Sequence, residues 1–289
     1  MKIGIVGLGL IGGSIGRAAV KRTDHEVFAT DISGEAMLKG ALLNAYNTEL
    51  TSDNAKDIDI LFVCVYPSGV AEIIDKYAPL LKPGAVIIDC VGIKREVVKI
   101  MEDRQKIYKD IAFIGGHPMA GREFSGIEHS VNNLFDHATC LLVPVHTPIE
   151  ATAKVKKFFL EIGFDGVVIT TAEEHDKMIA YTSQLAHVVS NAYVMSPAAQ
   201  NHHGFSAGSF RDMTRVARLN PTMWTDLMMN NSDLLGKEVD TLIKRLEQFR
   251  DALQNKDSDK LYNLLSEGNE AKLEVEKNRN QKRNNAIDK

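Results

Sequence analysis

A chain of 289 residues, 44% hydrophobic and 25% charged, has the length for two buried cores and the balance of an ordinary globular protein. A formal net charge of −4 supplies no cationic field, so neither nucleic acid nor a membrane surface is expected as a partner. The 3 cysteines, Cys64, Cys90 and Cys140, show no CxxC spacing and no histidine company, which argues against a disulfide framework and predicts no resident metal.

From residue 1 to about residue 169, short apolar runs alternate with helical patterns. The strand candidates are 2–7, 26–30, 58–65, 85–90, 112–115, 139–143 and 166–169. Between them lie helical stretches at 12–21, 34–44, 69–81, 94–103 and 149–162. Apolar strands separated by helices predict an α/β fold with a doubly wound, mainly parallel sheet covered on both faces. Cys64 and Cys90 fall in two of these runs, where burial as small hydrophobes is expected. Past residue 169 the strands stop. Thr171 and Glu174 form a capping box that opens a helix expected to reach about Met195. Asn220-Pro221 starts a helical pattern to about Asn255, and another runs from Asp257 to about Lys277. The expected domains are therefore 1–169 and 170–289, the second all-helical and ending in a polar, frayed tail from Asn278.

Gly7-Leu8-Gly9-Leu10-Ile11-Gly12 follows the first strand candidate and runs into the first helix. In that setting a GxGxxG is a dinucleotide fingerprint of the Rossmann type. The first glycine allows a tight turn and the second admits the pyrophosphate to the backbone. The third lets helix and strand pack closely, with the phosphates at the helix N-terminus. Asp31 follows the second strand candidate, where a carboxylate takes the ribose hydroxyls and repels a 2′-phosphate, favouring NAD over NADP. Further cofactor contacts are expected at Val65, Tyr66, Pro67, Val91 and Gly92, because ligands lie outside the carboxyl ends of such sheets. The competing readings are a glycine-rich turn without cofactor and an ordinary loop acid.

His117 stands in Gly115-Gly-His-Pro-Met-Ala-Gly121 after another strand candidate, at the sheet edge where a nicotinamide would rest. Oxidising an alcohol by hydride transfer needs a base for the hydroxyl proton, and histidine has the right ordinary pKa, about 6.5. A structural histidine in a turn is the alternative. His129 and His137 lack such a setting and are expected on the surface. In the helical half, Asp176, Ala180, Ser183 and His187 recur at helical spacing and share one face, either lining a cleft or facing water. Arg211 and Arg215 lie one turn apart with Asp212 between them. A guanidinium there suits a substrate carboxylate, and an ion pair of Arg215 with Glu123 or Asp212 is the competing use.

Together these motifs resemble the prephenate/arogenate dehydrogenase family over nearly the whole chain. The most specific pieces are His117-Pro-Met-Ala-Gly121 with Glu123, Ser125 and Gly126 behind it, Glu174-His-Asp176, and Phe210-Arg-Asp-Met-Thr-Arg215 followed by Pro221-x-Met-Trp224. The resemblance implies NAD as cofactor, oxidative decarboxylation of prephenate or arogenate, and a homodimer built by the helical domain. It implies that His117 is the base, that Arg215 binds a substrate carboxylate and that His187, with Ser183 on the same face, meets the side-chain end. It implies that Glu123 and Asp212 orient the site by ionic contacts and that Trp224 lies near the dimer-side entrance.

One departure stands out. The family often carries a serine where Asp89-Cys-Val-Gly92-Ile-Lys94 has Gly92, so a hydroxyl that would polarise the reacting alcohol is missing. Other readings are a 3-hydroxyacid dehydrogenase or imine reductase, disfavoured because Lys177 lacks the expected glycine context and His117 would go unexplained, and a non-catalytic NAD-binding sensor. With no basic leader and no apolar run of membrane length, a cytoplasmic location is expected. The chain stops after the helical domain, so any feedback inhibition by tyrosine is expected at the active site itself.

Overall fold

The structure, a computed structural model, describes residues 1–122 and 124–287, with side chains described through residue 278. Eight strands form one sheet in the order β3-β2-β1-β4-β5-β6-β7-β8. They are β1 (Lys2–Val6), β2 (Glu26–Thr30), β3 (Thr48–Glu49), β4 (Ile60–Val63), β5 (Val86–Asp89), β6 (Ala112–Pro118), β7 (Thr139–Val145) and β8 (Gly166–Ile169). Every neighbouring pair is parallel except β6 and β7. The α/β expectation is met, with a two-residue edge strand, β3, that the sequence reading lacks.

Helices α1 (Leu10–Arg22) and α5 (Ile149–Glu161) cover one face, and α3 (Val70–Tyr77) and α4 (Arg95–Gln105) the other, while α2 (Gly34–Leu42) follows β2. Successive strand residues feed opposite cores: Ile5, Phe62 and Ile88 pack with Ile15, Val155 and Phe158, while Val6, Val63 and Ile87 pack with Ile74, Val97 and Met101. That is why these strands read as unbroken apolar runs, and each fully buried side chain of this kind contributes about 1.5–3 kcal/mol. Cys140 is enclosed, but Cys64 and Cys90, at the ends of their runs, are only half-buried.

The described chain falls into two compact units, Met1–Leu235 and Gly236–Lys289. Three expectations about extent are corrected. The residue pattern of 171–195 predicts one helix; instead α6 (Ala172–Ile179) and α7 (Ala186–Val194) are joined by a π-helical segment, Ala180–Leu185. The pattern of 221–255 likewise splits into α9 (Pro221–Met229) and α10 (Ser232–Gln254), after the short α8 (Gly208–Thr214). The interruption puts buried Asn231 at a polar crossing: its amide donates to the Asp176 carbonyl (2.9 Å) and to Gln184 Oε1 (2.8 Å), and its carbonyl accepts from Arg95 (2.8 Å). These bonds repay the helical bonds given up at the break. Finally β6 extends through Pro118, so His117 lies in the strand rather than after it, because antiparallel β7 pairs with the glycine-rich stretch as far as Cys140.

In the second unit, α11 (Ser258–Ile287) continues well past the expected end at Lys277. No glycine or proline interrupts 278–287, and glutamine, lysine and arginine are good helix formers, so polarity alone does not stop the helix. No helix among the described residues is long and apolar enough to cross a membrane.

Candidate active site

At the carboxyl end of β1, Gly7 turns the chain at φ +98°, and a Cβ there would stand 2.3 Å from the Cys64 carbonyl oxygen. A Cβ on Gly12 would stand 2.0 Å from the Gly7 carbonyl oxygen, so α1 can approach β1 this closely only with glycine. At Gly9, by contrast, a Cβ would meet nothing within 4 Å. Gly9 begins α1 with no side-chain cap, which leaves first-turn N–H groups at Leu10 and Ile11 on the open side. This cradle fits a pyrophosphate.

Asp31, just past β2, is held in place: one carboxylate oxygen accepts from the Leu8 N–H (2.6 Å) and the other from the Ser33 N–H (2.8 Å). Each oxygen keeps a lone pair for a ribose hydroxyl. Half-buried Val65, exposed Tyr66 and half-buried Pro67 follow β4; buried Val91 and half-buried Gly92 follow β5. All these residues lie at the carboxyl ends of adjacent strands.

His117 stands on the next strand. Its Nδ1 lies 2.9 Å from His175 Nε2, and His175 Nδ1 lies 2.7 Å from Asp176 Oδ1. Asp176 also accepts from the backbone N–H groups of Lys94 (2.7 Å) and Arg95 (2.9 Å), which tie α6 to the start of α4. Beneath this, the fully buried Lys94 Nζ pairs with the fully buried Asp89 at 2.5 Å. Asp89 further accepts from the N–H groups of Val91 (2.8 Å) and Gly116 (3.0 Å). The loop after β5 and the strand carrying His117 thus hang on one carboxylate.

Burial, with the neighbouring His175 and Lys94, pushes the His117 pKa well below 6.5, and Asp176 only partly opposes this. Burial lowers His175 in the same way. Burial would raise Asp176, but bonds from His175, Arg95 and Lys94 bring it below the usual carboxylate range. The site at neutral pH is therefore two neutral imidazoles and a carboxylate. If His117 serves as a base it must be neutral to work, and the acid limb of kcat/KM against pH is then expected below 6.5. A limb at or above 6.5 would contradict the buried setting. The same depressed values mean that the unfolded chain binds protons first, so stability present above the ordinary histidine range is lost as pH falls through it.

In the helical layer of the same unit, His187 on α7 bonds through Nδ1 to the Val216 carbonyl (2.9 Å), and its ring centroid lies 3.8 Å from that of Trp224. Arg215, exposed at the end of α8, adds its charge to burial in lowering the His187 pKa. Leu227 lies one helical turn beyond Trp224, and its side chain would be 3.5 Å from a Cβ at Gly92, which in turn would be 3.9 Å from His117 Nε2. Gly92 is thus where the loop after β5, His117 and α9 meet. Asp176 and Ala180 are fully buried and Ser183 and His187 half-buried, so the stripe they form does not face water. Asp212 is exposed on α8, and Glu123 lies outside the described residues.

Sequence reasoning gave His175 no role and missed the Asp89–Lys94 pair. The available signal was a His-Asp doublet in the first turns of an otherwise apolar-faced helix.

Two family models match, described as the prephenate dehydrogenase nucleotide-binding domain over residues 15–169 and the prephenate dehydrogenase dimerization domain over residues 171–267. The chain belongs to the prephenate dehydrogenase family. The first match begins after the glycine loop, so it is independent of that motif. The chain is 32% identical to a cyclohexadienyl dehydrogenase of Zymomonas mobilis over 281 residues, 94% of each protein. Among solved structures it resembles the prephenate dehydrogenase of Aquifex aeolicus in complex with hydroxyphenyl propionate and NAD+ (TM-score 0.81, 26% identity, 95% of this chain and 98% of that one). It also resembles the arogenate dehydrogenase of Synechocystis (TM-score 0.78, 25% identity, 95% and 100%). An oxidoreductase with a nucleotide-binding domain follows from family membership.

Proposed function

We propose that this enzyme catalyses the NAD-dependent oxidative decarboxylation of prephenate to 4-hydroxyphenylpyruvate, with the nucleotide domain at 1–169 and a helical, homodimer-forming domain at 170–289. The observation that carries the reading is the free Nε2 edge of His117, beside Gly92 and at the carboxyl end of the same sheet that carries the glycine cradle. His117 takes the hydroxyl proton at Nε2. NAD, when bound, supplies the hydride acceptor. As the bond to the ring carboxylate breaks and carbon dioxide leaves, its electron pair enters the ring, which becomes aromatic. The His117 imidazolium can then return its proton to the phenolate oxygen. Gly92 places no side-chain hydroxyl beside Nε2, so the polarising donor that the family often carries does not come from this position.

The Asp31 carboxylate would repel a 2′-phosphate, which supports NAD over NADP. Arg215 is assigned to a substrate carboxylate, with His187, Ser183 and Trp224 around the side-chain end and Asp212 and Glu123 orienting the site by ionic contacts. Arg215→Ala is expected to raise KM about tenfold or more with a smaller change in kcat. An unchanged KM would return Arg215 to a purely structural task.

One observation favours arogenate instead. His187 Nδ1–H is used on the Val216 carbonyl, so a neutral ring offers its other nitrogen as an acceptor, and an ammonium is a donor. Steady-state turnover of both substrates with NAD and with NADP tests all of this. The reading expects the highest kcat/KM with prephenate and NAD; no turnover of either ring substrate despite NAD binding would leave a nucleotide-binding sensor. A cytoplasmic homodimer is part of the same proposal, and a monomeric mass by light scattering would remove the dimer.

A further inference from the structure

We propose that His175 and Asp176 form a positioning relay that locks His117 as its Nδ1–H tautomer and so leaves Nε2 bare as the base. The inference rests on the assignment of His117 as the base and adds the device that prepares it.

The donor order follows from the end of the chain of bonds. A carboxylate only accepts, so the 2.7 Å contact of Asp176 Oδ1 with His175 Nδ1 requires the proton on that nitrogen. Neutral His175 then has no proton on Nε2 and can only accept there. The 2.9 Å contact between that Nε2 and His117 Nδ1 is a hydrogen bond only if His117 Nδ1 donates. The opposite tautomer would set two lone pairs against each other in a dry site. Neutral His117 has one ring proton, so Nε2, the nitrogen on the Gly92 side, is left as the proton acceptor.

The relay is rigid at its far end. Besides His175, Asp176 accepts from the N–H groups of Lys94 and Arg95 and from Arg95 Nε (3.3 Å), and both Asp176 and His175 are buried. The rings of His117 and His175 meet at 5.1 Å between centroids and 52° between planes, so they are joined edgewise through nitrogen and not stacked. The other ionisable groups around them are the Asp89–Lys94 pair from β5 and its following loop and Cys140 from β7. Neither competes for His117 Nδ1, which is already committed to His175. When Nε2 gains the substrate proton, the imidazolium keeps its Nδ1–H bond to His175, and the fixed carboxylate beyond stabilises the positive charge. No proton need leave His175 or Asp176. Asp176 also anchors the loop after β5, so His175 is the member whose replacement isolates the relay.

Two measurements test it on the full chain. In the native enzyme without substrate, 15N spectra of histidine-labelled protein, with His117 assigned by its loss in His117→Asn, should show a protonated Nδ1 and a pyridine-type Nε2. A protonated Nε2 at neutral pH would overturn the relay, whatever ring substrate the enzyme turns over. His175→Phe should lower kcat about 10- to 100-fold with KM within about threefold, and His175→Gln, whose carbonyl can still accept from Nδ1, should recover part of the loss. Native kcat in His175→Phe would overturn it, as would equal losses in both variants. If His175→Phe fails to fold, the spectrum of the native enzyme decides alone. Failure of turnover on prephenate and arogenate would remove the proposed reaction without touching the tautomer result, so the two failures are distinguishable.

Discussion

Replacing His117 with asparagine is expected to lower kcat by about two orders of magnitude or more while KM changes little. Asparagine is close in size and can donate an amide proton to His175, so the buried bond is replaced and the strand is undisturbed. What it lacks is a nitrogen basic enough to take the hydroxyl proton as hydride departs. The loss therefore falls on the chemical step and not on binding. A variant within tenfold of native kcat would take His117 out of the mechanism, and a large rise in KM at native kcat would make it a binding residue.

Replacing Lys94 with methionine is expected to reduce folding stability by about 3–5 kcal/mol, a large share of the roughly 5–15 kcal/mol typical of a domain. Lys94 and Asp89 are both fully buried and 2.5 Å apart. Methionine retains most of the aliphatic volume but leaves the Asp89 charge with only the N–H donors of Val91 and Gly116. An uncompensated charge in that interior is the main cost, more than a lost contact. Asp89→Asn added to Lys94→Met should recover much of the loss, because a neutral amide no longer needs the ammonium. Urea denaturation measures both. A single-variant loss below about 1 kcal/mol, or no recovery in the double variant, would show that the pair does not anchor the loop as described.

The two variants separate two layers of one site. In the proposed reaction His117 meets the substrate, whereas Lys94 holds Asp89, which holds the backbone of Val91 and Gly116 next to His117. The Lys94 variant should lose folded protein, with any further change in activity coming from the charge removed near His117, whereas activity lost in the His117 variant should not follow the folded fraction.

What the sequence determined by itself was whatever depends on neighbours in the chain. The glycine spacing of residues 7–12 is a local steric requirement, as the 2.0 Å approach of a Gly12 Cβ to the Gly7 carbonyl demonstrates, and it is legible in the chain alone. Apolar runs feeding two cores fixed the α/β class in the same way. Capping at Thr171 and Asn220 could also be read directly, since each side chain accepts from the backbone N–H three residues on. Only the tertiary structure decided the identity of the partner of His117, because that bond joins residues 58 apart on a strand and a helix. It also decided the π-helical segment and the break at Asn231, where local helical preference is overruled by bonds to Asp176, Gln184 and Arg95 on other elements. Local pattern carries short-range sterics and burial; it does not carry the pairing of buried polar groups, which is satisfied by whichever elements the fold brings together.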